Sequence, residues 1–339
     1  MRSLAIVKPD HLGDLVLASP AIRWLSSLSR DSELYVHPAN MWLARYLFPD
    51  ICVKSISFSH LSKGGSGASQ SLGDTLLSIQ GRDLAVFLRQ DAIINREHIG
   101  HLVERCVFTD VLPDIHEASN HRRSLRPYFG DHVPDDFWPG RQREFPNALR
   151  IVGLCIGSGF PTNKWSIVRW TALAQRLIAR GCTIRVIGGP QEMQEIAILA
   201  DMLRLSPRHI IVGGPDAQDF LVQVAEMDLV IASDGGAGHL CSLAAPVLSI
   251  AASVPFRRFA PFGATTRVLS LALPCSPCLN AHETHLNLCF SHECSYGITE
   301  DDVLEAIAMP AQRPGTQVTV GPRAKLFYGV SHIKETNNH

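Results

Sequence analysis

Short runs of leucine and β-branched residues recur along this chain with helix-period stretches between them, and that alternation leaves few folds open. A parallel strand needs a crossover before the next one, so repeated strand-helix units specify parallel sheets covered on both faces. Two such sets can be read. In the first, Leu4–Val7, Leu34–His37, Val53–Phe58 and Leu84–Leu88 read as strands, with helical stretches after Gly13, around 42–48 and around 72–79. Residues 63–69 read as a flexible surface loop. The second set opens with a strand at Leu149–Ile156, then a helix at Ser166–Arg180, a strand at Thr183–Ile187, a helix at Gln191–Leu203 and a strand at His209–Val212. It continues through a helix at Ala217–Met227, a strand at Leu229–Ala232, a short helix after Gly236 and a strand at Val247–Ala251. Between the sets, residues 110–147 carry prolines, two arginine clusters and no sustained period, which reads as a domain junction. The expected architecture is α/β: two Rossmann-like domains, residues 1–148 and 149–310, facing each other across a cleft, with a tail at 311–339.

A length of 339 residues fits two such domains. With 46% hydrophobic and 19% charged residues the chain is neither disordered nor a coiled coil. Lys+Arg 31 against Asp+Glu 32 leaves a net charge of -1, which argues against a nucleic-acid partner. Only Leu4 to Val7 precede the charged Lys8, too short for the apolar core of a signal peptide, and no run reaches the ~18 apolar residues of a membrane span. A cytoplasmic protein with at most peripheral contact at the inner membrane is expected.

Ligands of open parallel sheets bind beyond the carboxyl ends of the strands, so the loops there carry the functional signal. After the first strand comes Lys8-Pro9-Asp10-His11-Leu12-Gly13-Asp14, where Gly13 permits a tight turn and Asp14 starts a helix. Two readings stand for Asp14: an acid favoured by the helix dipole, or a general base. Pro20 either restarts that helix or kinks it. After the strand ending near Cys155, Gly157, Ser158 and Gly159 offer backbone N–H groups to an anion and Lys164 adds a charge beside Trp165, which together suit a diphosphate. A dinucleotide fingerprint would need glycine at position 162, which is Thr162, and this disfavours a nicotinamide oxidoreductase. Asp234, Gly235 and Gly236 make a second anion turn, with His239 on the helix that follows as either a packed residue or a phosphate donor. Gln191 and Glu192, after Gly188, Gly189 and Pro190, place a carboxylate where ribose hydroxyls can be gripped, unless Glu192 serves only as a first-turn acid.

These motifs in this order, closed by Pro261, Phe262 and Gly263, resemble glycosyltransferase family 9, the ADP-heptose heptosyltransferases, over roughly residues 1 to 308. The resemblance implies the two-domain GT-B fold and inverting, metal-independent transfer of heptose from ADP-heptose to an acceptor hydroxyl, in lipopolysaccharide core or in a related glycan, lipid or protein. It places the catalytic groups at Asp14 and Lys164, and donor contacts at Gly13, Ser158, Gly159, Glu192, Asp234, Gly235, Gly236 and His239. Gly235 departs from the hydroxyl residue the family usually has there. Another nucleotide sugar in the same fold, or a nucleotide-binding subunit without turnover, are the competing readings; the pairing of Asp14 with Lys164 favours turnover, because binding alone needs no base. Arg122, Arg123 and Arg126 read equally as an anionic-acceptor contact or as a solvated basic loop.

Cysteines 275, 278, 289 and 294 form two closely spaced pairs joined by a loop, a spacing suited to a closed tetrahedral site for structural zinc or iron. Four free thiols is the alternative, and His282, His285 and His292 leave a mixed shell open. The segment resembles the four-cysteine iron loop of autotransporter heptosyltransferases. A closed thiolate shell has no position for substrate, so it would brace the loop and leave the transfer to other residues. Cys52, Cys106, Cys155, Cys182 and Cys241 are expected in the core.

Overall fold

The computed structural model describes residues 2–56, 76–77, 79–90, 94–100, 105–134, 143–214, 216–263, 265–276, 278, 289 and 291–330. The loop expected at 63–69, residues 72–75 of an expected helix, and His282 and His285 lie outside them. The chain divides into two compact units, Met1–Pro139 and Gly140–His339. That division falls within the proline-rich stretch but ahead of the expected boundary at 148. Arg143 explains the difference: its guanidinium donates to the carbonyls of Ala225 and Met227 at 2.7 and 2.9 Å, while Phe145 packs on the second unit's core.

In the first unit β1 (Ser3–Lys8), β2 (Asp31–Val36), β3 (Cys52–Ser55), β4 (Leu84–Phe87) and β5 (Cys106–Phe108) form a 5-stranded parallel sheet in the order β3-β2-β1-β4-β5. Leu4 to Val7 and Leu84 to Phe87 are buried throughout, as strands covered on both faces must be. The strand order reverses between β1 and β4, the position where such sheets take ligands. β5 is too short to show a period and was not legible beforehand. Cys52, expected in the core, is exposed at the start of edge strand β3.

The helix Leu12–Ser27 runs unbroken through Pro20. Proline has no N–H to give the carbonyl of Val16, and Ser19 Oγ donates to that oxygen instead, at 2.7 Å. The region 110–147 is corrected more substantially, because it contains the helix Glu117–Phe129. The buried face of that helix is largely polar, with Asn120, His121 and Ser124 inside beside Ala118 and Leu125, so no hydrophobic stripe marks it. It packs on the helix Leu12–Ser27, with the rings of Trp24 and Phe129 meeting edge to face 5.2 Å apart.

In the second unit β6 (Ile151–Cys155), β7 (Thr183–Gly188), β8 (Ile210–Val212), β9 (Leu229–Ser233), β10 (Val247–Ile250), β11 (Arg267–Ser270), β12 (Gln317–Val320) and β13 (Ala324–Tyr328) form an 8-stranded sheet. The order is β12-β13-β11-β10-β9-β6-β7-β8, parallel from β8 to β11. Strands β13 and β12 add antiparallel, so the stretch 317–328 of what reads as a tail at 311–339 belongs to the sheet. Val320, Ala324, Leu326 and Tyr328 carry that hairpin into the core, and Gly321 turns it at a φ of 58°. The helices Ile167–Ala179, Met193–Leu203 and Ala217–Ala225 lie where the apolar periodicity puts them, within a residue or two. Among the described residues no helix is long and apolar enough to cross a membrane.

Candidate functional site

The strand order of the second sheet reverses between β6 and β9, and the residues leaving those two strands interlock. Ser158 Oγ donates to the carbonyl of Asp234 at 2.7 Å, and Asn163 Nδ2 reaches the same oxygen at 3.3 Å. Asn163 Oδ1 accepts from the backbone N–H and the hydroxyl of Ser253, beyond β10, at 2.8 and 2.7 Å. Thr162 joins them through Ser253 Oγ at 2.8 Å. The loop singled out for its glycines is thus a braced platform. Asn163 and Ser253 were missed in the sequence because neither carries charge or belongs to a glycine turn.

Two glycines here stand in close approach to their neighbours, the first too close for any side chain without a shift. A Cβ on Gly157 would lie 2.8 Å from Glu192 Cδ, and one on Gly235 would lie 3.1 Å from Ser158 Cα. Glu192 ends the 3-10 turn Pro190–Glu192 and is 7% exposed; its Oε2 accepts from the N–H of Gly189 at 3.0 Å.

Lys164, in the loop after β6, extends to the residues that follow β7 and is not free. Its Nζ stands 2.9 Å from Glu195 Oε1 and 3.5 Å from Glu192 Oε1. Loss of hydration works against the ammonium, and the two carboxylates outweigh it, holding its pKa above the usual lysine value. Trp165 is buried, donating from Nε1 to Ile298 O at 2.9 Å, and Ser295 Oγ donates to Lys164 O at 2.8 Å.

Asp234 is buried just beyond β9, and its Oδ2 has no hydrogen-bond partner among the described residues. Loss of hydration alone pushes its carboxyl up to about 7, so near neutrality it exchanges between acceptor and donor forms. A buried oxygen without a partner costs stability until something donates to it, and a ligand hydroxyl or amine is the group that fits. His239 is buried on the helix Gly236–Cys241 that follows.

The first unit gathers a second constellation beyond β1 and β4. Lys8, 2% exposed, places Nζ 3.0 Å from Asp10 Oδ2 and 2.9 Å from the carbonyl of Leu88. Arg89 pairs with the other oxygen of Asp10. Buried Glu117 and His121 come from the helix Glu117–Phe129, with His121 Nε2 3.8 Å from Glu117 Oε1. Burial pushes the imidazole down to about 4, so it is neutral at physiological pH. Burial also opposes the charge on Asp10, but Lys8 and Arg89 overcome it and hold that carboxyl below the usual range. Asp14, part-exposed in the first turn of its helix, goes the other way: lost hydration and the Asp10 charge raise it, against the pull of Lys8. Two carboxylates four residues apart in sequence are thereby divided into a fixed anion and a group able to take up a proton. Lys8, Asp10, Arg89, Glu117 and His121 were missed in the sequence, although Lys8-Pro9-Asp10 directly after an apolar run was the available signal.

Residues 131–288 match the family model for glycosyltransferase family 9 (heptosyltransferase). The match contains both glycine-bearing loops, at 157–164 and 234–239, and ends within the cysteine segment. A family 9 glycosyltransferase from Veillonella parvula superposes with a TM-score of 0.69 at 16% identity, over 89% of this chain and 95% of that one. Escherichia coli heptosyltransferase WaaC with ADP gives 0.58 at 15%, over 79% and 92%. The iron-containing dodecameric glycosyltransferase TibC of enterotoxigenic E. coli gives 0.53 at 16%, over 88% and 73%. The fold is therefore the α/β architecture of GT-B heptosyltransferase structures. No curated protein matches the chain in sequence.

The cysteine segment lies beside this platform. Cys278 N donates to Ser253 O at 2.8 Å, and Ser295, which binds Lys164, directly follows Cys294. Cys275 is exposed, Cys278 and Cys289 are half-buried, and Cys294 is buried. Burial raises the Cys294 thiol, and the other three thiols add to the shift, so all four are electrostatic neighbours. Among the described residues no group of three or more His, Cys, Asp and Glu side chains is gathered closely enough to hold a metal ion.

Proposed function

We propose that this protein is an inverting glycosyltransferase that moves heptose from ADP-heptose to an acceptor hydroxyl in lipopolysaccharide core or a related glycan or protein. The observation that carries this reading is the donor-side platform: Ser158, Asp234, Glu192 and Lys164 meet where the strand order of the second sheet reverses. The family 9 match over that region supports the reading, as does fold similarity to WaaC, whose structure contains ADP. Glu192 and Asp234 supply acceptors for ribose and sugar hydroxyls. Gly159 and the turn at Gly235 and Gly236 turn N–H groups toward a diphosphate, and Lys164 neutralises the leaving group; Gly13 lies within the first turn of the helix Leu12–Ser27, so the helix start, not a glycine turn, presents Asp14. Inversion needs one base on the acceptor hydroxyl, and Asp14 is assigned that part.

ADP should raise the melting temperature of the intact chain, by the equivalent of about 2.7 kcal/mol at a concentration one hundred times its Kd. Lys164→Ala should remove most of that shift. Stronger stabilisation by UDP than by ADP would overturn the ADP-heptose assignment and redirect it to another nucleotide sugar.

Structural zinc or iron on Cys275, Cys278, Cys289 and Cys294 belongs to the same proposal, supported by the thiolate-rich donor set and by the iron in TibC. The thiols are not converged into a shell, so closing one would require the segment to draw together. Protein purified without added metal should carry about one zinc or iron per chain. Cys275→Ser should lose it along with thermal stability; a metal-free chain of unchanged stability would show the four thiols to be incidental.

A further inference from the structure

The ion pair at Lys164 has a consequence beyond the assignment of that residue. The backbone of Lys164 is pinned on both sides: its N–H donates to Pro161 O at 3.1 Å, its carbonyl accepts from Ser295 Oγ at 2.8 Å, and Trp165 N donates to Ser233 Oγ at 3.3 Å. Only the side chain is left to move, and it is 30% exposed. Its two acidic partners differ in kind. Glu192 is held by the Gly189 N–H and packed over Gly157, with its side chain 10% exposed. Glu195 stands in the first turn of the helix Met193–Leu203 with its side chain 37% exposed, and Lys164 is its one side-chain partner among the described residues.

We propose that Glu195 is the counter-ion Lys164 exchanges for the diphosphate of an incoming nucleotide, so that Glu195 sets how strongly phosphate is rewarded at this site. The proposal rests on the reading of this platform as a nucleotide-diphosphate site. In the ligand-free chain Glu195 holds the ammonium and keeps its charge neutralised. A diphosphate presents several negative oxygens and displaces a single carboxylate, while fixed Glu192 stays in place for hydroxyl recognition. The measured affinity for a nucleotide is then lowered by whatever the Lys164 and Glu195 pair is worth. A partly exposed pair of this kind is worth up to a few-fold in an equilibrium constant.

Calorimetric titration of the full chain with ADP and with adenosine tests this, using Glu195→Gln, Lys164→Met and the double variant. Glu195→Gln should bind ADP about two- to fivefold more tightly and adenosine unchanged. The gain in ADP affinity should vanish when Lys164→Met is already present. Weaker ADP binding by Glu195→Gln would make Glu195 a strut that aims the lysine, and would overturn the exchange. An equal gain in the Lys164→Met background would reduce Glu195 to simple repulsion of phosphate, and would overturn it too. Should Lys164→Met bind ADP as tightly as the parent chain, the diphosphate reading of the platform fails first, and the exchange with it.

Discussion

Asp14→Asn should lower the turnover of heptose transfer by about two to four orders of magnitude and leave the Kd for ADP nearly unchanged. A base acts only as the acceptor proton leaves, and asparagine keeps the size and polarity of the side chain while removing its basicity. If Asp14 serves only the helix dipole, the same change costs about 0.3–1 kcal/mol of stability and leaves turnover near normal. Rate and melting temperature measured on this one variant separate the two roles. The direction of the pKa shift adds a second signature. Lost hydration and the neighbouring Asp10 raise the Asp14 carboxyl, so it gains its proton at a higher pH than an ordinary aspartate. The acid limb of kcat/KM should accordingly lie above the usual carboxylate range, with activity lost as pH falls through it. A limb at the ordinary aspartate value would assign the proton transfer elsewhere.

Lys8→Met should destabilise the first unit by about 3 kcal/mol, seen as a lower urea midpoint for its unfolding transition with little change in slope. Lys8 is 2% exposed and pairs with Asp10 at 3.0 Å, so its removal leaves a buried carboxylate compensated by Arg89 alone. It also removes the cation whose charge acts on Asp14 and Glu117. Methionine fills a similar volume, which keeps the loss electrostatic. Pairing the change with Asp10→Asn should restore part of the loss, because neither half of the pair is then left charged and alone. A loss below about 1 kcal/mol would mean that Arg89 neutralises Asp10 unaided.

The two candidate constellations, one in each unit, differ in how openly the sequence displays them. The platform beyond β6 and β9 was largely legible as a pair of loops, since Gly157, Ser158 and Gly159 and then Asp234, Gly235 and Gly236 follow apolar strands directly, and a glycine turn after a buried strand is a local signal. The charged constellation of the first unit was not, because it is assembled from β1, β4 and the helix Glu117–Phe129, far apart in the chain. That helix buries Asn120, His121 and Ser124, so its inward face looks like an outward one. The partners of Lys164 were hidden for the same reason: Glu192 could be noted as an acid near a turn, but nothing local says that it and Glu195 converge on one ammonium. The hairpin of β12 and β13 shows the limit for edge strands, where two short runs specify sheet membership only once a partner strand is known.

Two hydrogen bonds leave the cysteine segment and end on the backbone of the platform, one at Ser253 and one at Lys164. Each end of that connection restricts the conformational freedom of the other. Whatever orders the thiols narrows the positions open to the ammonium of Lys164, and a nucleotide that immobilises Lys164 narrows those open to the thiols by the same free energy. If the platform holds a nucleotide as proposed, the chemical state of the four cysteines becomes one of the determinants of its affinity.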